Sequence, residues 1–202
     1  MVDFWFDERV GLVPASAAPP QFGVPPMQVR RIAAGEGPRV RALRLRALEE
    51  APHAFASSLE LELAHPDEHW EGVARQSEVG DETAVFVAID AGGDWRAMAG
   101  ARWFDRAAGV AQLWGMWVEP SARGTGLGRV LVNEIAGWAV ERGALRLRLG
   151  VIDRAAAAAA FYERLGFART GETKALPPDG ATSAFFLAKE LPESPGSGGD
   201  PR

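Results

Sequence analysis

The segment over residues 113–135 limits the fold of this 202-residue chain more than any other feature. It starts with apolar residues typical of a strand, crosses a turn that contains Arg123, Gly124, Gly126 and Gly128, and ends in a helical pattern. Such a turn gathers its own backbone N–H groups, the unpaired N–H groups of the first helical turn and the positive end of the helix dipole. The glycines let a ligand approach the backbone closely. The segment therefore predicts a binding site for a phosphate or pyrophosphate group.

Two familiar phosphate loops are excluded by the residues that follow the glycines. A Walker loop ends in Gly-Lys-Ser/Thr, whereas Gly128 is followed by Arg129. A dinucleotide-binding fingerprint that starts at Gly124 needs Gly or Ala at position 129. One that starts at Gly126 needs Gly or Ala at position 131, which is Leu. The predicted anion site therefore belongs to another kind of loop.

The rest of the chain alternates between strand-like and helix-like patterns. Three predicted strands joined by short turns indicate an antiparallel meander, and strands alternate with helices after it. This order predicts an α/β (α+β) fold with a mixed sheet. The predicted strands cover residues 28–33, 83–90, 95–104, 110–118, 145–151, 169–174 and 183–189, and the predicted helices cover 38–50, 55–63, a segment that begins at 65–68, 126–142 and 155–165.

The periods of these elements assign side chains to faces. In the helix over 38–50, Val40, Leu43 and Ala47 share an apolar face with Leu48. Trp114 and Trp117 are three positions apart on one strand, so the period of two places them on opposite faces of the sheet. Arginines of the same helix are expected on its solvated surface: Arg39, Arg41, Arg44 and Arg46.

Composition and charge exclude several classes of protein. The formal net charge of −5 and the pI of about 5.3 argue against a protein that binds nucleic acid through a basic face. The chain has no Cys, and its histidines all lie within 53–69, so we expect neither disulfides nor a metal site. The uncharged stretch over 10–29 is rich in Pro and follows acidic residues, so we expect neither a membrane helix nor a signal peptide. These features predict a cytoplasmic protein.

Three regions differ in composition. Residues 1–27 form a Pro-rich N-terminal arm that also carries aromatic residues, and we expect part of this arm to pack on the domain or on a partner subunit. Residues 28–191 form the folded domain. Residues 192–202 are rich in Gly, Pro and Ser and are expected to form a flexible C-terminal tail.

Two motifs in register carry a resemblance to a known family. Arg123, Gly126 and Gly128 fill the pattern Arg-x-x-Gly-x-Gly, which resembles the acyl-CoA loop of the GCN5-related N-acetyltransferase (GNAT) superfamily. Downstream, Ala158-x-x-Phe-Tyr162-x-x-x-Gly-Phe is similar to the second signature of that family, a helix that packs beside the CoA thiol. The resemblance covers residues 28–190. It implies a mixed, mostly antiparallel sheet with helices on both faces, splayed between the fourth and fifth strands, which are 110–118 and 145–151.

The resemblance also implies that acetyl-CoA is the cosubstrate. One position departs from the family, because relatives usually carry Asn seven residues before the Tyr of the second signature and this chain has Ala155 there. A side chain that commonly contacts the cofactor arm is thus missing. The residues that the resemblance assigns to cofactor binding are Met116, Val118, Arg123, Gly124, Thr125, Gly126, Leu127, Gly128, Arg129, Ala155, Ala158 and Tyr162.

In the family, an amine attacks the thioester directly, and two catalytic positions carry over. The backbone N–H of Val118, in preference to that of Met116, matches the group that polarises the thioester carbonyl at the splayed strands. Tyr162 matches the proton donor to the leaving thiolate, because an ordinary phenol has a pKa of about 10 and is protonated at neutral pH. No single base is assigned; the alternatives are a chain of water molecules, His53, Glu60, Glu62 and Asp153.

These inferences predict an acetyl-CoA-dependent N-acetyltransferase whose acceptor is a small-molecule amine or a peptide, with the acceptor side near residues 49–60. Two alternatives stay open. A regulatory or interaction module that binds acyl-CoA would keep the fold without turnover, which Ala155 favours and Tyr162 opposes. A protein N-terminal acetylase would differ only in its acceptor groove. Family members often dimerise, so a homodimer is compatible with the resemblance, and neither nucleic acid nor a membrane is expected as a partner.

Overall fold

The computed structural model describes residues 4–7, 11–14, 27–176 and 182–193. Its strands are β1 (Phe4–Asp7), β2 (Gly11–Pro14), β3 (Gln28–Arg31), β4 (Thr83–Ile89), β5 (Trp95–Asp105), β6 (Val110–Val118), β7 (Arg146–Ile152), β8 (Ala168–Leu176) and β9 (Thr182–Glu190). Its α-helices are α1 (Gly37–Glu50), α2 (Leu59–Leu63), α3 (Asp67–Val79), α4 (Leu127–Glu141) and α5 (Ala156–Arg164).

A seven-stranded sheet in the order β3-β4-β5-β6-β7-β9-β8 forms the centre of the domain. Neighbouring strands are antiparallel except β6 and β7, which run parallel. A parallel pair needs a crossover connection, and α4 provides it. The mixed, mostly antiparallel sheet predicted from the sequence is confirmed.

Helices cover both faces of this sheet. On one face, α4 and α5 pack against alternate residues of the central strands, and Leu131 and Ile135 are fully buried. On the other face, α1 packs through Val40, Leu43 and Ala47, which are buried as the helical period predicts, and α3 packs through Trp70 and Ala74. Because each buried aliphatic side chain of this size contributes about 1.5–3 kcal/mol, the two apolar layers hold the sheet between them.

Local signals set the ends of two helices. Helix α2 begins only at Leu59, because Ser58 Oγ accepts a hydrogen bond from the backbone N–H of Leu61 over 3.3 Å and so caps the helix there. Phe55 has an extended backbone, so the predicted helix over 55–63 is too long by four residues at its start. Gly143 follows the last turn of α4 with a φ of 79°, which ends the helix as predicted.

Arg44 departs from the predicted solvated face of α1. It is only 7% exposed, and its Nη2 donates to Glu62 Oε1 over 3.0 Å. Its guanidinium also lies 4.6 Å from the ring centroid of Phe55. A carboxylate on α2 and an aromatic ring make this burial tolerable, and the period of α1 alone carries no sign of either partner.

Part of the predicted N-terminal arm forms a hairpin, in which β1 and β2 pair antiparallel apart from the main sheet. The other residues of the arm before Met27, and the predicted tail beyond residue 193, lie outside the described residues. Met27 itself packs against the core of the domain.

Candidate functional site

The turn between β6 and α4 leaves open space above the start of the helix. One turn of 3-10 helix at Pro120–Ala122 reverses the chain, and Thr125 Oγ1 donates to the carbonyl oxygen of Ala122 over 2.8 Å. Gly124 and Gly126 have φ values of 79° and 85°, in the left-handed region that favours glycine. A Cβ atom at either glycine would meet no atom within 4 Å. Both glycines therefore border space that a ligand could occupy.

A row of backbone N–H groups points to an anion site in this turn. The N–H groups from Gly124 to Gly128 have no hydrogen-bond acceptor within the described part of the chain. The next two, of Arg129 and Val130, donate to the carbonyl oxygen of Gly126 over 3.0 and 3.2 Å. Unpaired N–H groups at the head of a 15-residue helix, together with its dipole, attract a phosphate or another anion.

Arg123 fixes this turn to neighbouring elements. Its Nη2 donates to Glu50 Oε2 over 2.5 Å, and its Nε donates to the carbonyl oxygen of Val118 over 2.9 Å. The same Glu50 oxygen accepts from Trp117 Nε1 over 2.9 Å. The hydrogen bonds from Arg123 and Trp117 lower the pKa of Glu50, which keeps this carboxyl ionised. The Arg123 charge is thus paired within the protein, whereas Arg129 is exposed in the first turn of α4.

Strands β6 and β7 separate after a short region of contact. Their parallel pairing joins Val110–Gln112 to Arg146–Arg148, although β6 continues to Val118 and β7 to Ile152. Beyond this region, the edge of β6 that faces β7 has no strand partner in the described ranges. The splay implied by the resemblance is confirmed. Met116 and Val118 lie on the unpaired stretch, where a ligand could accept hydrogen bonds from the backbone.

A β-bulge at Gly115 changes which way the side chains of β6 face. Between the pairs Gly100–Trp114 and Met98–Trp117 the register with β5 shifts, and Gly115 has a φ of 61°. Trp114 and Trp117 consequently lie on the same face of the sheet, the one covered by α1 and α3. The prediction that they face apart is wrong, because a strict period of two does not allow for the extra residue of a bulge.

The two sequence motifs meet in three dimensions. A Cβ atom on Gly128 would lie 3.1 Å from the ring of Phe161 and 3.2 Å from Met116 Cε, so the start of α4, the end of β6 and α5 are in contact. Tyr162 is 6% exposed and packs edge-on against the rings of Phe161 and Phe167, with centroid distances of 5.0 and 5.7 Å.

The environment of Tyr162 keeps its phenol protonated. Burial raises the pKa of its phenol well above the ordinary value of about 10, and no charged or hydrogen-bonding neighbour contributes to this rise. The phenol is therefore protonated throughout the physiological range of pH. A phenol of this kind can donate a proton but does not act as a phenolate base at neutral pH.

The start of α5 lacks a side-chain cap. Ala155 is the N-cap residue, with its carbonyl oxygen accepting from the N–H of Ala159 over 3.1 Å and no side-chain oxygen to bind the first-turn N–H groups. Ala155 and Ala158 both pack against the core beside the helix. The side chains at Ala155 and Ala158 are therefore small, and no side chain among the described residues caps the positive end of this helix.

A cavity of about 490 Å³ opens on the opposite face of the sheet, where β6 and β7 part. Residues 112–115 of β6 form one wall, the β8–β9 pair forms another, and residues 54–57 before α2 close a third side. The last of these belong to the segment over 49–60 that was expected to lie on the acceptor side. Its aromatic lining residues are Phe55, Trp114 and Phe186, and its charged lining residues are Arg44, Arg102 and Lys174.

The candidate bases named from the sequence do not line this cavity. His53, Glu60, Glu62 and Asp153 are absent from its described wall, and Glu62 is engaged with Arg44. From the sequence, Glu50 was included only as part of the segment over 49–60, and Lys174 was not singled out. Glu50 contacts Trp117 and Arg123, which are 67 and 73 positions away, and no local pattern signals contacts at such separation.

Two further findings concern metals and membranes. Within the described ranges, no group of three or more His, Cys, Asp and Glu residues is placed to hold a metal ion. The helices of the same ranges are all too short or too polar to span a bilayer.

Comparison with known proteins agrees with this geometry. The sequence profile of the Acetyltransferase (GNAT) family matches residues 44–167, more than half of the chain. The chain therefore belongs to the GNAT family of acetyltransferases. Streptothricin acetyltransferase of Streptomyces lavendulae is 38% identical over 98 residues, which cover 47% of this chain and 50% of that protein. The chain thus matches about half the length of this curated relative.

Solved structures share the fold. An acetyltransferase of the GNAT family from Streptococcus pneumoniae superposes with a TM-score of 0.70 at 18% identity, over 83% of this chain and all of that one (100%). A GNAT superfamily phosphinothricin acetyltransferase from Sinorhizobium meliloti, crystallised in complex with AcCoA, superposes with a TM-score of 0.66 at 18% identity, over 82% of this chain and 88% of that one.

Proposed function

We propose that this chain is an N-acetyltransferase that moves an acetyl group from acetyl-CoA to a primary amine by direct attack. The observation that carries the proposal is the row of unpaired N–H groups from Gly124 to Gly128, which lies at the start of α4 beside the gap between β6 and β7. CoA has a pyrophosphate at one end of its pantetheine arm and the thioester at the other, so one extended ligand suits both features. Membership of the GNAT family supports the same transfer.

The residues present fit acetyl-CoA. The N–H groups from Gly124 to Gly128 bind the pyrophosphate, and Arg129 adds a positive charge beside it. The open space above Gly124 and Gly126 admits the ligand without a clash. The small side chains of Ala155 and Ala158 leave room along α5. When bound, acetyl-CoA supplies an activated acetyl group and a thiolate as the leaving group.

Backbone N–H groups of β6 stabilise the oxygen on which negative charge develops. Met116 and Val118 lie on the stretch of β6 that β7 no longer pairs. We assign the main donor to Val118, which is farther from the last β6–β7 pair. A donor held by a strand in this way needs no reorganisation during the reaction, and such groups are worth about 10²–10³ in rate.

Tyr162 returns a proton to the leaving thiolate through its Oη. Its raised pKa keeps the proton in place until negative charge develops nearby. Its contacts with Phe161 and Phe167 hold the ring in one orientation. On the acceptor side, the cavity opens to solvent, and water accepts the proton that the ammonium form must lose before attack. The nitrogen loses a second proton to water after attack, and solvent returns one proton to the phenolate of Tyr162, so one proton is released overall.

The proposal is tested first by ligand-induced stabilisation. Acetyl-CoA at a hundredfold excess over its Kd should stabilise the native protein by about 2.7 kcal/mol, because it binds only the folded state. Gly126→Val should abolish the rise in Tm, since the new side chain would fill the open space at a φ of 85°. Thermal unfolding with and without acetyl-CoA measures both.

Gly143→Val is the matched control. Gly143 has a φ of 79° and equally open surroundings, but it lies at the other end of α4. This variant should lose intrinsic stability and still gain the full shift with acetyl-CoA. An undiminished shift in Gly126→Val would contradict the assignment of the loop. A screen for CoA thiol release with a panel of amines then separates an enzyme from a regulatory module, which Ala155 favours and which would show the shift without turnover.

A further inference from the structure

The described wall of the cavity contains three basic residues, Arg44, Arg102 and Lys174, and no carboxylate. Glu62 outside this wall pairs with Arg44, so the positive charge that is not paired among the described residues belongs to Arg102 and Lys174. Gln112 and Ser57 add neutral polar groups, and three aromatic rings supply the apolar surface. A wall of this composition attracts a molecule that has both an organic body and a negative charge.

Among the residues of this wall, Arg44 has a buried polar atom that lacks a partner. It is 7% exposed, yet its Nη1 has no hydrogen-bond partner among the described residues. Glu62 Oε1 accepts from Nε over 3.2 Å and from Nη2 over 3.0 Å, so the carboxylate occupies one edge of the guanidinium only. Buried polar groups are almost always satisfied, so this edge of the guanidinium can still bind a water molecule or a ligand atom.

The unpaired edge of Arg44 lies beside Gly115, just beneath the surface of the cavity. Nη1 is 3.8 Å from the position that a Cβ atom on Gly115 would take, and Gly115 is part of the same wall. Gly115 is also the bulged residue at which β6 leaves its regular register beside the gap. An acceptor atom bound to Nη1 would therefore lie close to the place where we locate the reaction.

We propose that the acceptor is an amine that also carries an oxyanion, a carboxylate in the simplest case, and that this oxyanion binds Arg44 Nη1 in the cavity. The inference rests on the proposed acetyl transfer. Arg102 and Lys174, which are exposed and cationic, draw the oxyanion into the cavity, and the rings of Phe55, Trp114 and Phe186 contact the organic body.

The test compares amines that differ only in the carboxylate. The full-length protein is assayed for CoA thiol release with amino acids and with the corresponding decarboxylated amines, for example L-phenylalanine and phenethylamine, and with streptothricin. In each pair, kcat/KM should be about tenfold or more higher for the amino acid than for the decarboxylated amine, as a charge-assisted hydrogen bond to the carboxylate allows. Arg102→Gln and Lys174→Gln should each reduce this preference and leave the KM for acetyl-CoA unchanged.

A binding measurement keeps the test independent of turnover. The N-acetylated amino acid should raise the Tm of wild-type protein more than the N-acetylated decarboxylated amine does, and Arg44→Lys should lose that difference. Arg75→Gln is the control, since Arg75 is exposed on α3 and remote from the cavity wall. In Arg75→Gln, the difference between the Tm shifts caused by the two acetylated products should equal that of the wild type.

The outcomes separate the two proposals. Failure of acetyl-CoA to stabilise the protein would overturn the acetyl transfer itself. If acetyl-CoA stabilises the protein, two results would overturn the oxyanion inference alone. One is a kcat/KM for the decarboxylated amines that equals or exceeds that for the amino acids. The other is turnover of streptothricin that Arg102→Gln and Lys174→Gln do not change. Equal Tm shifts from the two acetylated products, or no shift from either, would do the same.

Discussion

At the scale of single residues, the acidity of Tyr162 is set by its surroundings. Its ring packs between Phe161 and Phe167, and burial alone raises its pKa. The sequence indicated this residue through its place in a motif and through its being the one Tyr of the chain. The direction of its pKa shift could not be predicted, because it depends on rings that only the packing of α5 brings around the hydroxyl group.

Tyr162→Phe should lower turnover and leave acetyl-CoA affinity nearly unchanged. The ring and its packing stay, and only the proton donor is lost. A general acid is worth roughly 10²–10⁴-fold, and we expect about 10² or somewhat less, because a thiol with a pKa of about 8.5 already leaves readily. The measurement is kcat and KM for acetyl-CoA across pH 6–10 in both proteins, once an acceptor is known.

The raised pKa of Tyr162 also predicts the direction in which stability changes with pH. Since the folded state favours the protonated phenol, its contribution to stability is complete below a pH of about 10 and is lost as the pH rises further. In wild-type protein Tm should fall above this pH more steeply than in Tyr162→Phe. Ultraviolet titration of the sole phenol should show no ionisation near pH 10 until the protein unfolds. Wild-type turnover of the Phe variant at every pH would make Tyr162 a packing residue only.

At the scale of the elements, most boundaries follow from the sequence because each has a local cause. Strand β6 has the predicted bounds, and α4 ends at the predicted Gly143. The differences arise where a side chain acts on the backbone or on a distant element. Ser58 shortens α2 through a hydrogen bond, and Gly115 inserts a bulge into β6. Neither effect changes the apolar period from which the elements were predicted.

Ala155→Asn should stabilise α5. The N-cap position has no side-chain acceptor, and Asn supplies one for an N–H of the first turn, an effect worth about 0.5–2 kcal/mol. Urea unfolding of both proteins measures the gain in the free energy of unfolding. Ala157→Asn is the control, because the same exchange inside the first turn cannot cap the helix and should cost a few tenths of a kcal/mol. Equal effects at the two positions would show that α5 gains nothing from a cap.

At the scale of the whole molecule, two apolar layers on a seven-stranded sheet define the domain. The sequence predicted this architecture because strands and helices alternate in a fixed order. It could not predict the cavity, whose wall joins residues from 44 to 186. The ion pair between Arg44 and Glu62 could not be predicted from the sequence either, since the two partners belong to different helices. We propose that the domain begins near residue 28, where β3 joins the sheet.

Removal of residues 1–24 should leave a folded protein that binds acetyl-CoA. The truncation keeps Met27 and Val29, which pack against the core, and all residues of the glycine turn. The acetyl-CoA-dependent rise in Tm should equal that of the full chain. A longer truncation through residue 31 removes β3 and should destabilise the domain strongly, because β4 loses its antiparallel neighbour. Loss of acetyl-CoA binding in a folded 25–202 protein would contradict the proposed boundary.

Because β6 separates from β7, the sheet has a gap between its two faces. The glycine turn belongs to the α4 side, and the cavity lies on the α1 side. With the proposed function, acetyl-CoA and the acceptor would reach this gap from opposite faces of the sheet, and neither would block the path of the other. Binding from opposite faces favours a ternary complex over a ping-pong mechanism, in which the first product must leave before the second reactant binds. Steady-state kinetics should then give intersecting lines in double-reciprocal plots.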